Sequence, residues 1–128
     1  MYSNEFSNQS AIITGAGQGI GFEIAKQLCL NGASVILNDI DETLAKSAAN
    51  KISQHGNCVA VAGDAADVSF IQTMVDEAMR IFGRLTIAIA NAGITLFGDF
   101  FEYEPEAFQR VMDVNLTGSF FLVQAAAK

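Results

Sequence analysis

The stretch TGAGQGIG, residues 14–21, places four glycines between two segments of opposite character. The run AIIT (11–14), which ends on the first residue of that stretch, is short, rich in β-branched residues and typical of a buried strand. After it, apolar residues recur at helical spacing over residues 20–30, and Asn31-Gly32 marks the end of that pattern. A strand, a glycine turn and a helix in direct succession predict a βα unit at the start of the chain.

Three more strands are expected downstream, each separated from the next by a helix. They are ASVILND (33–39), CVAVAGD (58–64) and LTIAIAN (85–91). Because these runs are almost wholly apolar and do not alternate with polar residues, they are typical of parallel strands buried on both faces. The repeated strand–helix order therefore predicts one α/β domain over residues 1–128, a doubly wound parallel sheet with helices on both faces.

Capping residues and periodicity predict the limits of the helices. Asp41 is the expected N-cap of the second helix and Ser69 that of the third, with Gly83 just past its end. Glu104-Pro105 opens a further helix, with proline at its first position. The expected buried faces are Leu44, Ala45, Ala48 and Ile52 in the second helix, and Ile71, Met74, Val75, Ala78 and Phe82 in the third.

The composition excludes several classes of function. Hydrophobic residues make up 51% of the 128, and the net charge of −7 gives no field for nucleic acid or an anionic membrane. One histidine, His55 in a loop, and two distant cysteines, Cys29 and Cys58, predict no metal site and two buried thiols. The N-terminus lacks the layout of a signal peptide, and no run is long enough to span a membrane, so we expect a cytoplasmic protein.

The glycine loop and an acidic residue after the second strand together indicate a nucleotide site. A helix N-terminus offers unpaired N–H groups and partial positive charge to a pyrophosphate, and glycine permits close approach. Asp39 lies 18 residues beyond Gly21. This is close to the spacing of ~20 residues expected for the carboxylate that bonds a ribose. A carboxylate there favours NAD over NADP, because it repels a 2′-phosphate. The alternatives are a plain glycine turn and an Asp that caps or turns the chain.

Four segments in order resemble the N-terminal half of the short-chain dehydrogenase/reductase (SDR) family. They are TGAGQGIG with its G-x-x-x-G-x-G spacing, GD (63–64), ANAG (90–93) and VNLTG (114–118). The resemblance implies a Rossmann-type fold that is truncated after about four strands. It also implies an NAD(P)-dependent oxidoreductase that interconverts a secondary alcohol and a ketone by hydride transfer, with NAD favoured and a small-molecule substrate.

The resemblance also assigns roles to individual positions. The expected cofactor-binding residues are Gly15, Gln18, Gly19, Ile20, Gly21, Asp39, Ile40, Asp64, Ala65, Asn91, Ala92 and Gly93. Within that set, Asp64 and the Ala65 backbone would face the adenine. Asn115 would be catalytic and would hold a water in a proton relay. From the residues alone, Asn115 reads either as a tolerated surface polar residue or as a kink or bulge beside Gly118.

The catalytic Tyr-x-x-x-Lys of the family is missing from these residues. The tyrosines are Tyr2 and Tyr103, and neither has a lysine four positions later. By analogy, Ser, Tyr and Lys would lie beyond Lys128. The fourth strand, central in the family's order 3-2-1-4-5-6-7, would then be an open apolar edge. We therefore expect the chain alone to be inactive and to pair or aggregate through that edge.

Several alternatives stay open at this level. A complete, non-catalytic nucleotide-binding or interaction module is one, and a methyl-transfer domain that binds S-adenosylmethionine is another. The aromatic stretch LFGDFFEY (96–103) could border a substrate, or could pack under its own loop. Family members are usually dimers or tetramers that pair through the helix at this chain's end, so the resemblance implies a homo-oligomer.

Overall fold

The computed structural model describes residues 3–128, so Met1 and the first tyrosine considered above, Tyr2, lie outside the described residues. The elements alternate as the sequence predicts. In chain order they are β1 (Ser10–Ile13), α1 (Gly19–Leu30), β2 (Ser34–Asp39), α2 (Glu42–Ile52), β3 (Asn57–Ala62), α3 (Val68–Phe82), β4 (Ile87–Ile89), a 3-10 turn (Phe100–Glu102), α4 (Pro105–Met112), a π-helical turn (Asp113–Thr117) and α5 (Gly118–Ala127).

All four strands are parallel and form one sheet in the order β3-β2-β1-β4. The register aligns Ile12 of β1 with Ile36 of β2 and with Ala88 of β4. Consecutive parallel strands need crossover helices, and these helices cover the sheet. The order matches the first four strands of the expected arrangement, and β4 lies at an edge of the described sheet.

The core consists of two apolar layers, one on each face of the sheet. One layer packs α1 and α2 against the strands through residues such as Ala25, Cys29 and Ile52. The other packs α3 and α5 through Met74 and Leu122. Helices on both faces confirm the doubly wound α/β architecture.

Most helix limits agree with the sequence, with one error at a cap. Asp41 accepts a hydrogen bond from the Leu44 N–H, and Gly83 ends α3 in the left-handed region at φ 78°. The prediction that Ser69 caps α3 is wrong, because Asp67 is the N-cap. The Ser69 N–H and hydroxyl both donate to the Asp67 carboxylate, so serine serves as a donor inside the first turn.

Smaller differences concern burial and strand length. The buried face of α2 uses Ala49 and leaves Leu44 only half-buried, and Phe82 in α3 is half-buried too. β4 covers only Ile87–Ile89, which is shorter than the predicted 85–91. Both cysteines are buried as expected. Between residues 3 and 128, no helix combines the length and apolar character needed to cross a bilayer.

Candidate functional site

A crevice of about 330 Å³ opens at the carboxyl ends of the four strands, where parallel α/β sheets bind ligands. Segments that follow all four strands meet there. Its lining residues are Gly15, Gln18, Asn38, Asp39, Ile40, Gly63, Asp64, Ala65, Asn91, Ala92, Gly93, Ile94, Arg110 and Val114. Nine of the twelve residues expected to bind the cofactor are among them. Gly19, Ile20 and Gly21 lie outside this lining.

The glycine loop is fastened to the chain that follows β4. Gly15 has φ 61°, and a Cβ there would stand 2.8 Å from the Ala92 Cα. A Cβ at Gly21 would overlap the Asn91 side-chain nitrogen, which donates to the carbonyls of Thr14 and Gly15 at 3.0 Å each. These two positions therefore require glycine because backbone and amide groups occupy the space that a side chain would need.

Thr14 completes this connection, although the sequence analysis assigned no separate role to it. Its hydroxyl, in a residue only 3% exposed, accepts the N–H groups of Asn91 and Ala92 at 3.1 and 3.0 Å. The Thr14 N–H in turn donates to the Ile89 carbonyl at 3.1 Å. A polar residue that ends a wholly apolar strand was the available signal, since a buried hydroxyl needs a partner.

The N-terminus of α1 is left without a side-chain cap. In the described structure Gln18, its N-cap, makes no side-chain hydrogen bond to the first turn, and that turn contains no acidic residue. Gly19 has φ 67°, and a Cβ built on it would meet no described atom within 4 Å. Ile20 is 76% exposed. The helix thus presents N–H groups and partial positive charge toward open space, which is the chemistry that receives an anion.

Asp39, at the end of β2, is oriented by the loops beside it. One carboxylate oxygen accepts the Gly17 N–H at 3.0 Å, and the other accepts the Asp41 N–H at 3.1 Å. A Cβ on Gly17 would stand 2.7 Å from the first of these oxygens. Each oxygen keeps a further lone pair, so the carboxylate can still accept hydrogen bonds from a ligand.

Asn38 is a part of the site that the sequence analysis missed. It is 1% exposed, and its side-chain nitrogen donates to the carbonyls of Val61 and Gly63 at 3.0 and 3.1 Å. Its backbone carbonyl accepts the Ala16 N–H at 2.7 Å. Asn38, on β2, therefore holds both the glycine loop and the end of β3 in place by hydrogen bonds. An amide next to Asp39 in an otherwise apolar strand was the signal, but it read as a loop residue.

After β3, Asp64 pairs with Arg110, which the sequence analysis also missed. The Asp64 carboxylate lies 3.0 Å from the guanidinium of Arg110 in α4. Its other oxygen accepts the Ala66 N–H at 2.9 Å. A Cβ on Gly118 would stand 2.5 Å from the Ala65 carbonyl oxygen, so the start of α5 packs directly on this loop.

Asn115 lies within the π-helical turn, which confirms the kink or bulge expected there. Its amide oxygen accepts the Ile94 N–H at 2.8 Å, and its amide nitrogen donates to the Ile94 carbonyl at 2.9 Å. The side chain thus pairs with the backbone as a neighbouring strand would. Ile94 and Val114 line the crevice, whereas Asn115 does not. The Asn115 carbonyl accepts the Ser119 hydroxyl at 3.1 Å.

The aromatic loop after β4 does not contribute to the crevice. Phe97, Phe100 and Phe101 are each at least 87% exposed. The Tyr103 hydroxyl donates to the Leu96 carbonyl at 2.6 Å, which closes the loop. The phenylalanines therefore do not pack beneath their own loop.

The residues present fit a dinucleotide. A glycine cradle and an uncapped helix N-terminus suit a pyrophosphate, as the free space at Gly19 indicates. Two carboxylates in the lining of the crevice, Asp39 and Asp64, suit the polar hydrogens of a ribose and a base. Among the described residues, the lining contains no serine, threonine, cysteine, tyrosine or lysine side chain, and its only charged side chains are Asp39, Asp64 and Arg110.

Comparison with known proteins gives a consistent result. The family model described as short chain dehydrogenase matches residues 9–128. Trihydroxynaphthalene reductase PfmaI of Pestalotiopsis fici is 36% identical over 128 residues, which cover 98% of this chain and 45% of the relative. A tetrahydroxynaphthalene reductase of Pyricularia oryzae is 37% identical over 128 residues, with the same two coverages.

Solved structures agree with the sequence relatives. The crystal structure of a short-chain type dehydrogenase/reductase from Mycobacterium marinum matches with a TM-score of 0.91 at 32% identity. That match covers 95% of this chain and 50% of the other. The chain therefore spans about half the length of the relatives it matches.

Proposed function

The chain belongs to the short-chain dehydrogenase family, and we propose that it forms the cofactor-binding half of an oxidoreductase that interconverts a secondary alcohol and a ketone. Members of the family use a nicotinamide cofactor, NAD or NADP. The observation that carries the proposal is the crevice, in which the glycine loop, Asp39 and Asp64 meet at the carboxyl ends of the strands.

In this proposal, each wall of the crevice binds a different part of the cofactor. The glycine loop, with Gly15 and Gln18, and the first turn of α1, with Gly19, Ile20 and Gly21, receive the pyrophosphate and lead toward the nicotinamide. The free space at Gly19 and the absence of a side-chain cap from Gln18 within the described chain support this role. When bound, the nicotinamide supplies the position that gives or takes the hydride.

The remaining cofactor contacts come from the ends of β2, β3 and β4. Asp39, beside Ile40, accepts hydrogen bonds from the adenosine ribose. Asp64 and the Ala65 backbone face the adenine. Asn91, Ala92 and Gly93 lie against the cofactor, and the hydrogen bonds of Asn91 and Ala92 to Thr14 and Gly15 hold this segment in register. Their rigidity orients the cofactor before any substrate binds.

NAD is the cofactor that we favour. Both oxygens of the Asp39 carboxylate are oriented by backbone N–H groups, and that carboxylate lines the crevice. A ribose 2′-hydroxyl can donate to it, whereas a 2′-phosphate would meet like charge at short range. Ile40, the next residue, adds no positive charge to offset that repulsion.

Asn115 is the catalytic residue that we assign to this chain. Its side chain is committed to Ile94, so its role would pass through the backbone of the π-helical turn, where a water in a proton relay can bind. The general acid/base tyrosine with its lysine, and the substrate-orienting serine, would come from residues that follow this segment in the whole enzyme.

Two features bear on substrate and assembly. The two relatives named as hydroxynaphthalene reductases lead us to test reduction of cyclic ketones first. Exposed apolar side chains on α4, the π-helical turn and α5, at Phe108, Leu116 and Phe120, support a dimer or tetramer formed through these helices.

The test of this proposal is titration of the protein with NADH, NADPH and S-adenosylmethionine, followed by fluorescence or calorimetry. We expect NADH to bind at least about tenfold more tightly than NADPH, which corresponds to about 1.4 kcal/mol. Asp39→Asn keeps the shape of the side chain and removes its charge. It should therefore reduce the ratio of the dissociation constants for NADPH and NADH. Binding of S-adenosylmethionine alone would refute the proposal, and tighter binding of NADPH would refute the NAD assignment.

The alternative function is a non-catalytic nucleotide-binding or interaction module, and the lack of Tyr-x-x-x-Lys in these 128 residues favours it.

Under the main proposal too, we expect the isolated segment to bind dinucleotide without turnover and to associate through β4, whose residues are only partly buried. Sedimentation and an activity assay on the isolated segment test this. A monodisperse monomer with turnover would contradict it.

A further inference from the structure

Arg110 is the one basic side chain among the described residues that line the crevice. It projects from α4, whose chain continues into the turn that contains Asn115. Its guanidinium nitrogen Nη1 lies 3.0 Å from Oδ2 of Asp64, and both side chains are about two-fifths exposed. Ion pairs with this exposure contribute little to folding stability, because water screens them and their side chains lose entropy.

The pair instead controls the orientation of one carboxylate. Oδ1 of Asp64 accepts the Ala66 N–H at 2.9 Å, and Oδ2 accepts from Arg110 at 3.0 Å. The backbone carbonyl of Asp64 accepts the Asp67 N–H at 3.0 Å. With one oxygen fixed by its own loop and the other by α4, the plane of the carboxylate is determined from two independent elements.

Arg110 also changes the charge of the crevice. Its lining includes two carboxylates, Asp39 and Asp64, while a dinucleotide carries a negatively charged pyrophosphate. One guanidinium offsets one of these carboxylates, so its removal leaves more like charge beside an anionic ligand.

We propose that Arg110 is a positioning residue for the adenine end of the crevice: it holds the Asp64 carboxylate in place and joins that wall to the helix that leads to Asn115. This inference rests on the proposed function, since it concerns the same site. It assigns Arg110 no contact with the reacting atoms, and so it affects cofactor affinity more than the chemical step.

The experiment compares Arg110→Met with wild type in the whole enzyme that contains this chain. Dissociation constants are measured for AMP, nicotinamide mononucleotide and NADH, together with KM for the dinucleotide and kcat. We expect the affinities for AMP and NADH to fall about tenfold and KM to rise by the same factor. The affinity for nicotinamide mononucleotide should fall by a clearly smaller factor than that for AMP, because it shares the phosphate but lacks the adenine, and kcat should stay within about twofold.

Two further variants separate positioning from general destabilisation. Arg110→Lys keeps a positive charge near Asp64 and should recover part of the AMP affinity. Arg80→Met is the matched control, because Arg80 forms an exposed ion pair with Glu77 on α3, outside the crevice lining. It should leave all three affinities unchanged.

The outcomes distinguish this inference from the proposed function. If wild type binds neither NADH nor NADPH, the proposed function itself fails. If wild type binds dinucleotide but Arg110→Met keeps its AMP affinity, or loses affinity for AMP and nicotinamide mononucleotide equally, then the positioning role is overturned.

Discussion

The N-termini of three helices in this molecule are built in two different ways. Asp41 is the N-cap of α2 and Asp67 that of α3. The Asp41 carboxylate accepts one N–H of the first turn, and the Asp67 carboxylate accepts two. α1 begins with Gln18, which makes no such bond in the described structure, and glycine follows at Gly19. All three N-caps have extended backbone, so the difference lies in the side chains and not in the entry of the chain.

The capped N-termini contribute to folding stability, whereas the uncapped N-terminus of α1 is suited to binding a ligand. A capped N-terminus satisfies its N–H groups internally and stabilises the helix. An uncapped one forgoes that stabilisation and keeps the same groups for a ligand with negative charge. The sheet supports α1 instead, because the glycine loop is bonded through Thr14 and Asn91 to the end of β4.

The largest expected effect comes from adding a side chain where the glycine loop contacts the segment after β4. Gly15→Ala would add a Cβ 2.8 Å from the Ala92 Cα at a residue with φ 61°, and we expect it to lower the free energy of unfolding by about 3 kcal/mol. Gly19→Ala is the matched control, since φ is 67° but the space is open. It should cost about 1 kcal/mol, from backbone strain alone. Chemical denaturation measures both, and equal costs would show that contact with Ala92 is unimportant.

An intermediate effect should follow from capping α1 artificially. Gln18→Asp would give α1 the cap that α2 already has, and should raise stability by about 0.5–1 kcal/mol without ligand. The same carboxylate would repel a pyrophosphate, so we expect affinity for NADH to fall about tenfold. Gln18→Asn is the control, because it can cap without charge. Tighter binding by Gln18→Asp would contradict an anion site at this terminus.

The smallest expected effect concerns the cap of α3 and its dependence on pH. The Ser69 hydroxyl, followed by the Phe70 N–H, holds the pKa of Asp67 below its ordinary value of 3.8. Because the folded pKa is lowered, this stabilisation is fully present above about pH 4 and is lost as pH falls through the folded value. Asp67→Ala should therefore lower the melting temperature slightly at pH 7 and converge with wild type in acid. A gap that is independent of pH would mean that the carboxylate charge plays no part.

Local patterns predicted much of this molecule. Apolar strands without alternation indicated a buried parallel sheet, and glycine spacing with Asp39 indicated the ligand end of that sheet. The patterns failed where two residues of the same capping type compete: Asp67 and Ser69 both suit an N-cap, and only the packed turn shows which one accepts. They also failed for Arg110, which lies 46 residues from its partner Asp64 and belongs to an ordinary amphipathic helix.

The sequence by itself determined the order of strands and helices, the glycine turn and the family, because these follow from motifs that can be read along the chain. It left the bulge at Asn115 as one of two interpretations, and the π-helical turn decides between them. Only the tertiary structure decided which polar groups share the crevice. Asn38 of β2 bonds the end of β3 and the glycine loop after β1, and Arg110 contacts Asp64 from α4. Such contacts depend on how distant segments pack, and buried polar groups select their partners from whatever the fold brings within hydrogen-bonding distance.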